Sequence, residues 1–483
     1  MPELVAAGCS GSAAHVLIGV ASATVALVDP RWRTVLASNN RRIPCVDERP
    51  YSDAVTNDRG VLQRRTLGTL VTSQVLGGVG TASGIAVMAL LTKEVGGSEA
   101  LAGLGTTAQV LGGALLAVPV ARVSVARGRR PGLVLGYIVA AVGALLVIAA
   151  AALPSLPLLL LGSLLFGGGT AAGSQSRFAG ADLAAPHHRG RDLSLVVWAT
   201  TIGSVAGPNL VDLADRLGLG LGLPRMAGSF LFSLVGFVVA ALVIGVFLRP
   251  DPLLEARRRA GLEAQAWGPS HLDQRESSAP ASPHLDQRDG RRGGVAALRA
   301  RPAALAAVAI IALGHAVMVA VMVMTPIHMD HGGASLQLVG LVISIHILGM
   351  YAFSPLVGAA VDRLGSRPVA AAGGVVLVAA CLLAATSDEG MSLHLTAALF
   401  LLGVGWSCTL VSGSTMLTDA VDVAERAAAQ GVSDTVMGLM AAGGGVLAGV
   451  VIAAASYSAL AWAATLLATL VIVVAARSRR EMP

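Results

Sequence analysis

Two short motifs carry the side chains most suited to chemistry. One reads Met318-Val-Ala-Val-Met322; the other, starting 28 residues after Met318, reads His346-Ile-Leu-Gly-Met350. Each pair is spaced i, i+4, so on a helix each shares one face. Thioethers and an imidazole form a soft, neutral donor set that favours Cu(I) over the oxygen-seeking Mg, Ca or Mn. Thioethers also hold a metal less firmly than thiolates, which suits a site that must let go. His315 lies three residues before Met318, and Met324, His328, Met329 and His331 follow, where they could hand a metal inward. The competing reading is plain packing, the usual role of methionines in an apolar helix. A histidine inside an apolar run is costlier and less easily explained that way.

These motifs sit in a chain built for a bilayer. Of 483 residues, 54% are hydrophobic and only 13% charged, with a mean hydropathy of +0.73. The charges cluster between continuous apolar runs long enough, at about 1.5 Å per residue, to cross a hydrocarbon core of about 30 Å. Twelve such runs are expected, near 66–91, 99–121, 132–153, 156–180, 193–212, 226–248, 303–325, 336–358, 369–387, 393–416, 432–454 and 458–477. Their lack of alternation favours helices over a barrel. The expected class is an all-α membrane protein of two six-helix bundles, 66–248 and 303–483, the second ending in a short tail. Residues 1–65 read as a poorly ordered N-terminal extension and 249–302 as a polar linker. The linker repeats His271-Leu-Asp-Gln-Arg275 as His284-Leu-Asp-Gln-Arg288.

The net charge of +6 does not indicate nucleic acid, because the arginines fall in short loops and not on one soluble face. They follow spans 2, 4, 6, 8 and 10, which places the linker and C-terminus on the cytoplasmic side of a bacterial-type plasma membrane. Cys9, Cys45, Cys381 and Cys408 form no paired motif. No phosphate-binding loop, catalytic triad or cysteine-rich cluster appears, so neither an enzyme nor an ATPase is expected, and no resident cofactor. A monomer working with lipid and a small solute or metal ion is expected.

The two halves repeat at a constant offset. Gly128-Arg129-Arg130 and Gly365-Ser366-Arg367 are 237 apart, as are Asp182 with Arg189 and Asp419 with Arg426. The segment Gly358-Ala-Ala-Val-Asp362-Arg363-Leu-Gly365-Ser-Arg367 resembles the loop signature of the major facilitator superfamily. There a glycine lets helices approach, the aspartate can cap a neighbouring helix, and the arginines anchor the face. The first-half copy keeps Gly128, Arg129 and Arg130 but has Val125 and Ala126 in place of Asp-Arg. Gly203-Ser-Val-Ala-Gly207-Pro208 resembles the antiporter motif of the same superfamily, without its following glycines. Small residues four apart allow backbone contact, and Pro208 is expected to kink its span. Taken with their 28-residue separation, the two Met/His motifs resemble those of CcoA-like bacterial copper importers. That resemblance implies Met318, Met322, His346 and Met350 as copper ligands and alternating access as the mechanism.

Arg177 lies late in span 4, near Gln175 and Asp182. It needs a partner or a wet path, or must snorkel to headgroups; with a partner it could couple proton movement or hold an anion. Asp434 reads as the N-cap of span 11. Copper import is the leading expectation. A proton-coupled efflux antiporter for drugs or metabolites is the alternative, and a non-transporting sensor the third.

Overall fold

The computed structural model describes residues 51–98, 101–266, 290–333, 336–388 and 393–478. The tandem copy in the linker and residues 1–50 lie outside them. The described residues are helical, with no strand among them. The first half consists of α1 (Tyr51–Gly96), α2 (Ala102–Arg127), α3 (Arg129–Ala152), α4 (Leu156–Phe166) with α5 (Gly168–Ala181), α6 (Arg189–Asn209) with α7 (Val211–Gly220), and α8 (Ala227–Phe247). Two linker helices follow, α9 (Pro252–Ala266) and α10 (Gly290–Ala300). The second half is α11 (Pro302–His331), α12 (Leu336–Tyr351) with α13 (Ser354–Leu364), α14 (Ser366–Ala385), α15 (Leu393–Ala420), α16 (Arg426–Ala454) and α17 (Tyr457–Arg477).

Among the described residues, eleven helical stretches are long and apolar enough to cross a membrane; α6 and α7, bent by 58°, make a twelfth span. With no water in lipid to satisfy backbone groups, such runs have no alternative to the helix. Each half has its own apolar centre. In the first, Tyr137, Phe166, Phe230 and Phe237 meet with ring centroids 5.2–6.2 Å apart. The second is built mainly from aliphatic and methionine side chains of α11–α17, with Trp406 and Tyr457, and takes in Phe178 and Leu193 of the first half. Large apolar groups such as Leu466, Leu153 and Leu356 point outward, 71, 69 and 68% exposed, as a lipid-facing surface requires.

Two expectations need correction and a third is met. Residues 51–65 continue α1 as helix; Gln63 there is buried and donates to Gly180 O and Asp192 Oδ2, each at 2.7 Å. Span 5 is bent as the proline implies, and the break falls just after Pro208. Span 11 begins at Arg426, two turns before the apolar run suggests. Its polar first turns are satisfied internally: Arg426 donates to Val421 O and Gln430 to Thr418 Oγ1. Asp434 is therefore no N-cap.

The Gly203/Gly207 motif joins α6 to α1. A Cβ on Gly203 would come within 2.6 Å of the Gly78 backbone, and one on Gly207 within 2.5 Å of Ala82 Cβ. Ser83 Oγ also donates to Gly207 O at 3.2 Å. Replacing Gly207 by Val is expected to cost about 1–3 kcal/mol through overpacking, read as a lower unfolding midpoint in detergent, while the same change at open Gly443 should leave the midpoint alone.

Candidate functional site

Between the halves lies a cavity of about 740 Å³. Its first-half wall carries Gln74, Thr81, Gln109, Thr170, Ser174 and Thr200; its second-half wall carries His315, Met322, Tyr351, Trp406 and Met437. Away from the linker its lining residues are accessible, with Ile85, Val323 and Val446 46, 41 and 65% exposed.

Toward the linker the cavity ends on charges. Arg177 is 4% and Asp434 3% exposed. Arg177 Nη2 donates to Asp434 Oδ1 at 2.5 Å, Gln175 Nε2 to Asp434 Oδ2 at 2.6 Å, and Arg177 Nε to Ser414 Oγ at 3.3 Å. Arg177 and Ser414 are 237 residues apart, so positions equivalent under the repeat meet where the halves touch. The guanidinium also lies 4.5 Å from the Phe178 ring centroid. It is thus partnered and does not reach for headgroups. One layer further toward the linker, wholly buried Arg129 donates to Asp182 Oδ2 at 2.7 Å, to Gln175 Oε1 at 3.0 Å and to Gln430 Oε1.

A third layer closes the linker face. Asp362, at the end of α13, accepts from the backbone N–H of Gly190 at 2.8 Å and of Arg191 at 2.9 Å, capping the first turn of α6. A carboxylate there faces the positive end of the helix dipole. Gly358 permits this approach, because a Cβ on it would sit 2.1 Å from Ser194 Oγ. Arg363 is exposed and Arg367 half-buried at the same face. Arg189 pairs with Asp419 at 2.5 Å. The first half has no carboxylate at Val125; instead Arg257, from α9, donates to Val125 O and Ala424 O, both at 2.9 Å, and so bridges the halves. Asp251, just before α9, accepts from the backbone N–H of Arg130 at 2.7 Å and lies against Gly128.

The sulfur and imidazole set is distributed. Met322 lines the cavity. Met318 and Met350 lie in the apolar core, 4 and 7% exposed, and neither they nor His346 are among the cavity-lining residues. His346 is fully buried, with Nδ1 2.7 Å from Leu399 O and Nε2 without a hydrogen-bond partner among the described residues. His315 faces the cavity and accepts from Trp406 Nε1 at 2.7 Å. Met324 and Met329 are buried, His328 stacks on Tyr457 at 4.1 Å with Ser387 Oγ 3.3 Å from its Nε2, and His331 is exposed.

Sequence reasoning missed the partnership of Asp434 and the roles of Gln74, Gln109, Tyr351 and Trp406. Two signals were available. The offset that relates Gly128 to Gly365 also carries Arg177 to Ser414. And mid-span aromatics with polar edges stand out in a chain only 4% aromatic.

Removing one partner of a buried pair strands the other. Arg129→Ala should therefore cost about 3–5 kcal/mol by leaving Asp182 uncompensated, whereas Arg129→Met with Asp182→Leu should recover most of the loss in thermal unfolding of the purified chain.

Comparison with known proteins places this geometry. The Major Facilitator Superfamily model matches residues 70–333 and 306–483. The MFS-type transporter YdeG of Bacillus subtilis, itself uncharacterised, is 38% identical over 86% of this chain and 93% of its own length. The riboflavin transporter RfnT of Brucella anthropi is 27% identical over 77% of this chain and 85% of its own. Among solved structures, the human organic anion transporter MFSD10 shares the fold with a TM-score of 0.63 at 18% identity, covering 86% of this chain and 99% of that one. Two matched halves, a central cavity between them and close relatives along most of its length make this chain a member of the Major Facilitator Superfamily, a multi-pass membrane transporter.

Proposed function

We propose that the chain moves a small organic solute through the central cavity by alternating access, with the linker face toward the cytoplasm. The carrying observation is the cavity itself. At about 740 Å³ it falls in the range of small-molecule sites, about 300–1,000 Å³. Its walls mix amides and hydroxyls on one side with His315, Tyr351 and Trp406 on the other, a lining that suits an organic molecule better than a bare ion. RfnT, whose name gives it riboflavin as cargo, is consistent with a cargo of this kind. Layers of charge near the linker close one end while the other is exposed, which is one of the two states alternating access requires. Proteoliposomes bearing the chain, incubated with the small-molecule fraction of a bacterial extract, should accumulate at least one organic solute. Thr81→Trp, which fills the cavity, should abolish that accumulation; equal contents in both preparations would remove the reading.

Copper import is the second reading, favoured by one observation. The Leu399 carbonyl can only accept, so His346 Nδ1 carries the proton and Nε2 presents a bare lone pair in a buried site. Metal-binding histidines are oriented by the same kind of contact. Met350 shares the face of His346, and Met318 and Met322 belong to the same packed half. On this reading, His346→Leu and Met318→Leu each reduce cellular radiocopper uptake at least severalfold; uptake unchanged in both variants removes copper as cargo.

A further inference from the structure

The cavity floor holds a charge arrangement that the choice of an organic cargo leaves unused. Among the lining residues, Arg177 is the single cation and Asp434 the single anion. Arg177 commits Nη2 to Asp434 and Nε to Ser414, while Nη1 has no hydrogen bond among the described residues. Just above it, His315, Tyr351 and Trp406 form an aromatic wall, with Tyr351 and Trp406 edge to face at 5.5 Å and His315 and Trp406 at 5.9 Å. Opposite stands Gln74, which donates to Thr200 Oγ1 at 3.0 Å and leaves Oε1 without a partner, although its side chain is nine-tenths buried. The site therefore offers a guanidinium at the bottom, a flat apolar face on one side and a spare amide acceptor on the other.

We propose that this floor is an anion subsite: the anionic group of the cargo takes the place of Asp434 on Arg177, Asp434 takes up one proton, and the cargo is a small organic anion with a flat apolar part. This rests on the organic-solute reading and names its chemical class. A guanidinium already holding a carboxylate is shaped for a second one, and its fork accepts carboxylate or phosphate alike. Charge balance then fixes the proton. Arg177 and Asp434 cancel, so an anion arriving alone would leave a buried carboxylate uncompensated, a cost of several kcal/mol. A hydronium ion reaching the cavity gives its proton to a carboxylate oxygen of Asp434: one O–H bond breaks, one forms, neutral water is left, and the site is again uncharged.

The surroundings offer no competing proton acceptor of equal reach. On α3, Arg129 is bound to Asp182. On α11, His315 Nδ1 accepts from Trp406, so that ring is neutral. From α5 come Arg177 and Gln175, from α12 Tyr351, from α15 Ser414, and from α16 itself Gln430. Releasing Arg177 from Asp434 also removes a bond between the halves, so cargo binding loosens the closure that must open next.

The test uses 1-naphthoate and its uncharged isostere 1-naphthamide, with Trp406 fluorescence of the detergent-purified full chain as the readout and Trp406→Phe as the signal control. Naphthoate should bind, and its affinity should rise up to about tenfold for each unit the pH falls between 8 and 5, the limit for uptake of one proton. Naphthamide should bind more weakly and without pH dependence. Asp434→Asn should keep naphthoate binding and lose its pH dependence. Arg177→Gln with Asp434→Asn, a neutral pair that avoids stranding either charge, should lose naphthoate and keep naphthamide, with folding checked by gel filtration. Equal binding of both probes, indifferent to Arg177, would overturn the anion subsite while leaving an organic cavity intact. Binding of neither would remove both.

Discussion

An arginine and an aspartate from opposite halves share hydrogen bonds at a floor almost closed to solvent, and the rest of the molecule is arranged around that fact. Arg177 and Asp434 are 4 and 3% exposed and sit between the cavity and the closed linker face. A buried pair contributes little net stability, yet breaking it without compensation is costly. Parting the halves on this side separates these two charges, and water or another partner must then compensate them. The floor of the cavity is thus both the seal of one state and the place where a solute can act on that seal.

The layers beneath follow the same logic with different parts. Arg129, Asp182, Gln175 and Gln430 form a network in which Arg129 bonds to all three of the others. Asp362 uses a helix dipole, and Arg189 with Asp419 uses a surface pair that water can share. The two halves do not contribute equally. Where the second supplies Asp362, the first has Val125, and Arg257 of the linker stands in by bridging two carbonyl groups. The linker is therefore part of the closure and not only a tether between bundles.

Much of the architecture could be read from hydropathy, because lipid leaves a long apolar run no choice but a helix. The offset between Gly128 and Gly365 revealed the duplication, and it recurs in space as the Arg177–Ser414 contact. What escaped the sequence were features set by partners distant along the chain. Asp434 looked like a cap because apolarity begins beside it, yet the helix runs two turns further on bonds that only the folded end supplies. The bend of span 5, by contrast, was legible in Pro208. Met318, Met322, His346 and Met350 were legible as a soft donor set, but spacing along a helix does not say which face meets a cavity and which meets the core. The aromatic wall of the cavity was missed for the same reason: Tyr351 and Trp406 are adjacent only across two spans.

Alternating access requires the charged linker face and the exposed opposite face to open in turn. The most direct measurement is a pair of pulsed electron-spin distance experiments on the full chain in lipid nanodiscs, with labels at Leu104 and Val446 for the exposed face and at Arg191 and Leu364 for the linker face. The account predicts two distances for each pair, with the longer one at one face rising in population as the longer one at the other falls, and Asp434→Asn moving both toward linker-side opening. A single unchanging distance at both faces, in the native chain and in the variant, would contradict it.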